Sequence, residues 1–368
     1  MFFQIFLLLC STLLIHCENL TELCYDIKQF KNVPNLARIY KLATSKAIQQ
    51  IQSNGYPVEV HKISTNDGYR INIHRIPHRL TNDAAPVLIL PGLGSSSTPY
   101  TMVPNGIVYT LANEGYDVWL GNFRCSFQDV SHIKYSQLQS KFWDFGMDEM
   151  ALSDTPAMIN HILQTTNQTK LSILSMSMST ATTTAMLAFK PELNNKVSRH
   201  VALAPVVYLH YIVDAIPYKF LKKLYDITGI TDNIFSTLNK LGFYLVPFAC
   251  SPFSFIPICK AIEICVIGYS PGSYGFCTAG LITSILRGTS LRTLLHFYQL
   301  ITKKQLMQYD FGSEENLLRY GTDMPPIVDV SQITTPTSLI HSSNDPLASP
   351  LNVALLARKM KTAKVVLL

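Results

Sequence analysis

Charge is scarce in this 368-residue chain: Asp, Glu, Lys and Arg together make up 15% of it, against 48% hydrophobic residues. That balance excludes an intrinsically disordered chain. The net charge of +6 is spread thinly, with only short pairs such as Lys222-Lys223 and Lys303-Lys304 standing out. No basic stripe is present, which argues against a nucleic-acid partner. Internal repeats and low-complexity tracts are also missing. Histidine is lacking in the last stretch of the sequence, where none follows His341. The later cysteines have irregular spacing with no histidine between them, so we expect no zinc site and no other metal or cofactor.

What is present suggests secretion. The segment MFFQIFLLLCSTLLIHC (1–17) is an apolar run about as long as a signal-peptide core and too short to span a bilayer comfortably. It lacks a positive n-region beyond the α-amino group, so a retained anchor is the rival reading. Two sequons, Asn19-Leu-Thr21 and Asn167-Gln-Thr169, fit the same route as candidate glycosylation sites. Beyond the leader stand Cys24, Cys125, Cys250, Cys259, Cys265 and Cys277. Four of them fall between Cys250 and Cys277, where one or two disulfides fit an oxidising compartment.

Apolar or alternating runs read as strands at 58–64, 70–76, 86–91, 116–122, 171–175, 199–205, 337–341 and 364–368. TNDGY joins the first two as a hairpin turn. From Pro86 onward helix-like stretches alternate with the strands, as in GIVYTLANE, MDEMALSDTPAMINHILQTT, TATTTAMLAF and PLNVALLARKM. This alternation predicts an α/β fold with a mostly parallel central sheet and helices on both faces. The rhythm changes over 206–287, which is rich in aromatics, Ile, Leu, Pro and Cys. Pro247, Pro252, Pro257 and Glu263 break every long apolar run there, which favours a helical cap over a membrane hairpin. The expected organisation is a leader (1–17), a first core part (18–205), the cap (206–287) and a second core part (288–368).

Ester hydrolysis at a serine needs a nucleophile on a strained turn, a histidine base, a carboxylate to orient it and two N–H donors for the oxyanion. Ser177, in LSMSMST, follows the strand LSIL where such a nucleophile would sit. Taken alone, Ser-x-Ser-x-Ser reads as a Ser/Thr-rich helix start. Glycine is usual on both sides of the nucleophile because strand and helix pass closely. Ser175 and Ser179 therefore weaken the turn without excluding it. PGLGSSS (91–97) follows a buried strand and offers the N–H of Leu93 as one oxyanion donor, with Met178 N–H as the other. Asp345, after the penultimate strand, stands where the orienting acid belongs, although Asn-Asp-Pro also reads locally as a plain turn.

With these residues in view, the chain resembles the secreted and lysosomal acid lipase family. The resemblance runs through GYPVEVHKISTNDGYRINIHRIP, GYDVWLGNFR, KFWDFGMDEMALSDTPAMINHIL, VALAPV, GTSLRTLLHFYQLI, YDFGSEENLLRYG and NDPLASP, in order over nearly the whole chain. It implies an α/β-hydrolase core with a cap, secreted or lysosomal, acting at a lipid–water interface on neutral lipids such as triacylglycerols and sterol esters. It also implies Ser177 as nucleophile, Asp345 as triad acid, and Leu93 and Met178 as oxyanion positions.

The departures from that pattern bear on activity. The family's His-Gly-Leu-Leu loop is Pro91-Gly92-Leu93-Gly94 here, its Asn-x-Arg-Gly ends in Cys125, and its Gly-His-Ser-x-Gly is Ser175-Met176-Ser177-Met178-Ser179. Ile267 stands at one cap cysteine position. The family's catalytic histidine follows the last strand, and no histidine follows Asp345 here. His341, His161 and His296 each read as packing or surface residues. Without a base, the rate is expected to be down by roughly a thousandfold or more. Three expectations follow: a neutral-lipid lipase whose sequence continues past Leu368, a non-catalytic relative that binds lipid or a partner, or a protein tethered by an uncleaved leader.

Overall fold

The structure is a computed structural model, and it describes residues 46–78, 84–126, 129–212 and 288–368. The leader, Asn19, residues 213–287 of the cap and every cysteine but Cys125 lie outside the described residues.

The strands are β1 (Glu59–Ser64), β2 (Tyr69–Ile76), β3 (Pro86–Leu90), β4 (Asp117–Leu120), β5 (Val130–His132), β6 (Leu171–Met176), β7 (Val197–Leu203), β8 (Thr337–His341) and β9 (Ala363–Leu367). They form one sheet in the order β1-β2-β4-β3-β6-β7-β8-β9, with β5 paired to β2. The β1–β2 hairpin is antiparallel, and from β4 to β9 every neighbouring pair is parallel. Each predicted strand is found to within two residues at either end. Only β5 had no counterpart in the sequence reading, because three residues carry no readable alternation.

Helices α1 (Ala47–Ser53), α2 (Thr98–Met102), α3 (Ile107–Asn113), α4 (Met147–Glu149), α5 (Thr155–Thr166), α6 (Met178–Phe189), α7 (Leu291–Lys303), α8 (Ser313–Tyr320) and α9 (Pro350–Lys359) pack around the sheet. Between α4 and α5 the helix widens into a π turn over Met150–Asp154. Among the described residues, no helix is long and apolar enough to cross a membrane.

The two-residue period of a strand divides the core into two layers. Leu88, Leu90, Trp119, Leu171 and Ile173 face a layer with Met158, Ile159 and Ile162 of α5 and Ala181 and Leu187 of α6. Val87, Ile89, Val118, Leu120 and Leu174 face the opposite layer, with Ile51 of α1 and Val108 and Tyr109 of α3. β3 is therefore buried at all five positions, as a central strand covered by helices on both faces must be.

The turn after β4 is tied to α5 by Arg124. Its guanidinium donates to Asp154 Oδ1 from Nε (2.9 Å) and Nη2 (2.6 Å), and Asp154 Oδ2 accepts the Arg124 backbone N–H at 3.0 Å. Asp67 takes the outer side of the same guanidinium, which lies 4.2 Å from the ring centroid of Tyr69. Burying these ions is tolerable because each has its partners in place.

Candidate active site

Ser177 occupies the junction between β6 and α6 with φ 54° and ψ −119°. L-residues seldom adopt this combination, and holding one there costs of the order of 1–3 kcal/mol. The strain turns the chain from strand to helix within one residue and lifts the serine out of the sheet's end. The backbone is locked from both sides, with Ser177 N–H donating to Leu203 O on β7 (3.0 Å) and Thr180 N–H donating to Ser177 O (2.9 Å).

The two serines at the glycine positions are accommodated, each by a different device. Ser179 is fully buried, and its Oγ accepts the Met176 N–H at 2.7 Å. The same hydroxyl lies 3.0 Å from Leu90 O and 2.9 Å from Met176 O, as donor to these carbonyls. Ser175 is also fully buried, and its Oγ lies 2.6 Å from Nε2 of His200 on β7. Burial pushes the His200 pKa down to about 3, so the ring is neutral at ordinary pH. Ser175 and Ser179 thus fill their space with hydrogen bonds, and the expected weakening of the turn is offset by this bonding.

Gly92 lies directly against the nucleophile position. A Cβ added there would stand 3.3 Å from Ser177 Cβ and 3.6 Å from Met176 O. Glycine therefore lets the 91–97 loop pass close to the serine, with Leu93 the next residue along the chain. Met178 is the first residue of α6, so its N–H has no acceptor within the helix. The loop is pinned by hydrogen bonds between residues distant in sequence. Ser97 N–H donates to Asn122 Oδ1 (2.8 Å), Asn122 Nδ2 donates to Asn72 O (2.9 Å), and Ser97 Oγ lies 3.0 Å from His74 Nδ1. The sequence signals for Asn122 are its places in GYDVWLGN and at the head of Asn122-Phe123-Arg124-Cys125.

Asp345 follows β8 at the same C-terminal end of the sheet, two strands across from Ser177, roughly 10 Å in strand spacing. Its Oδ1 accepts the N–H groups of Leu347 and Ala348, both at 2.8 Å, which sets the carboxylate's orientation. Among the described residues no histidine hydrogen-bonds Ser177 Oγ. His341 Nδ1 lies 3.1 Å from Ser342 O, and the buried His296 bonds Met307 O through Nε2 (2.9 Å). His161 pairs with His61 near the far edge of the sheet, where burial and then His61 lower its pKa. Cys125 is buried, and burial raises its thiol pKa to about 12, so it is no nucleophile at ordinary pH.

The chain is similar to known proteins over most of its length. Residues 47–103 match a family described as a partial alpha/beta-hydrolase lipase region, and residues 85–226 match the alpha/beta hydrolase fold. Mouse gastric triacylglycerol lipase is 34% identical over 335 residues, covering 86% of this chain and 83% of its own. Human lipase member K is 31% identical over 81% of this chain and 77% of its own, and Lipase 1 of Drosophila melanogaster is 32% identical over 82% and 68%. Among solved structures, a thermophilic esterase from Thermogutta terrifontis has a TM-score of 0.50 at 13% identity, covering 84% of this chain and 89% of that one. Carboxylesterase CesB of Bacillus subtilis has the same score at 10% identity, covering 90% of each chain. These distant structures share the fold, and the lipases share the sequence over most of their length: the chain belongs to the acid lipase family of α/β-hydrolases.

Proposed function

We propose that this protein is a secreted or lysosomal ester hydrolase of neutral lipids, triacylglycerols or sterol esters, with Ser177 as its nucleophile. The observation that carries the proposal is the strained Ser177 backbone at the β6–α6 junction, because such strain persists where a reacting group must be presented. Ser177 Oγ attacks the ester carbonyl, and the N–H groups of Leu93 and Met178 receive the oxyanion. The alcohol portion leaves with a proton, and water then releases the fatty acid from the serine. Asp345 orients the imidazole that carries these protons. That imidazole is not supplied by any described residue. Exposed Asn167, in a left-handed conformation at the end of α5, is accessible for a glycan on the secretory route.

A second reading, a lipase-like protein that binds neutral lipid without turning it over, is favoured by one observation: no histidine bonds Ser177 Oγ among the described residues. One experiment separates the two. The natural full-length protein is mixed with a triacylglycerol emulsion, and released fatty acid and emulsion-bound protein are measured together. Release that disappears in Ser177→Ala supports the hydrolase. Binding without release in either protein supports the binder.

A further inference from the structure

His61 on β1 and His161 on α5 bring two ring nitrogens face to face, far from the nucleophile turn. His61 Nδ1 and His161 Nε2 are 3.1 Å apart, and the ring planes meet at 69° with centroids 5.1 Å apart. Two imidazole nitrogens bound to one tetrahedral zinc at about 2.0–2.1 Å would be separated by roughly 3.3 Å, so the pair needs to open by only a few tenths of an ångström. The other nitrogen of His61, Nε2, lies 3.1 Å from Glu59 Oε2. A carboxylate holding the far N–H of an imidazole fixes its tautomer and leaves the lone pair on the near nitrogen, which is the usual support behind a metal-bound histidine. Here that lone pair points at His161.

The surroundings suit a cation. Thr165, one helical turn after His161, places its hydroxyl 3.4 Å from His161 Nε2. Trp119 packs against His61 with centroids 4.7 Å apart and gives the ring a firm floor. Arg75 is already engaged by Glu59 (3.0 Å) and Asp117 (2.8 Å), so the group Glu59, Arg75 and Asp117 carries one net negative charge. Both histidines are half-buried and remain open to solvent on one side. No group of three His, Cys, Asp or Glu side chains among the described residues is arranged to hold a metal, and His61 with His161 would leave the remaining positions to water.

We propose that His61 and His161 form a two-histidine site for a divalent transition cation of the zinc or copper class, oriented by Glu59, that clips α5 onto the outer strand β1. This site is independent of the hydrolase reading, since none of its residues belongs to the nucleophile turn.

The test is titration of the natural full-length protein with zinc chloride at neutral pH, followed by calorimetry. We expect one site in the micromolar range, lost below detection in His61→Ala and in His161→Ala and weakened about tenfold in Glu59→Gln. Circular dichroism checks that each variant is folded. Copper(II) bound to the unaltered protein gives a second readout: its electron paramagnetic resonance spectrum should show coupling to two imidazole nitrogens. Absence of a zinc site, equal affinity in all four proteins, or a copper spectrum without two nitrogens overturns the proposal.

Discussion

Ser179 Oγ lies 3.0 Å from the carbonyl oxygen of Leu90 and 2.7 Å from the amide nitrogen of Met176. One buried hydroxyl thus ties the nucleophile turn to the end of the central strand β3. Removing it in Ser179→Ala leaves the Met176 N–H without this acceptor. The expected loss is about 1–3 kcal/mol of unfolding free energy, read as a lower urea midpoint at unchanged slope. An unchanged midpoint would mean that the hydroxyl only fills space.

Strain at Ser177 predicts a stability change opposite in sign. Glycine adopts the Ser177 conformation without the penalty a Cβ incurs. Ser177→Gly should therefore be more stable than Ser177→Ala by about 1 kcal/mol or more, while both lack hydrolysis. Equal denaturation midpoints for the two variants would contradict the strain.

Gly92→Ala tests the close approach of the oxyanion loop. The new methyl would sit 3.3 Å from Ser177 Cβ, so the loop or the serine must shift by a few tenths of an ångström. In a catalytically active full-length protein, turnover should fall by at least about tenfold with a midpoint shift under about 1 kcal/mol, since misplacement near the reacting atoms costs rate first. Full turnover in the variant would show that the loop has room to spare.

His200 sets a pH dependence of stability. Its folded pKa is pushed down to about 3 by burial, below the ordinary value of about 6.5 for an unfolded histidine. The unfolded chain therefore binds a proton that the folded chain refuses between these values. The contribution is complete above about pH 6.5 and is lost as pH falls toward 3. Unfolding free energy measured against pH should be less steep in His200→Asn over that window, by up to about 1.4 kcal/mol per pH unit. Parallel profiles would place the acid sensitivity elsewhere.

Much of the fold was legible because β3, β6 and β8 are apolar runs bounded by turn residues, and each carries its own signal. Ser177 was legible as a position, since it directly follows β6. The parts that stayed hidden depend on contacts between residues distant in sequence. Ser179 bonds a carbonyl 89 residues away, Ser175 bonds a ring 25 residues away, and His161 meets a partner 100 residues away. No local pattern encodes such pairs. The serines at the glycine positions therefore looked like losses, whereas packed together they supply bonds that glycine cannot.

The central claim is that Ser177 is a working nucleophile. The most direct test is to expose the natural full-length protein to an alkyl fluorophosphonate and locate the adduct by peptide mass spectrometry. The account predicts phosphonylation of Ser177, absent in Ser177→Ala and absent from Ser175 and Ser179. An unmodified Ser177, under conditions that label a gastric lipase, would contradict it.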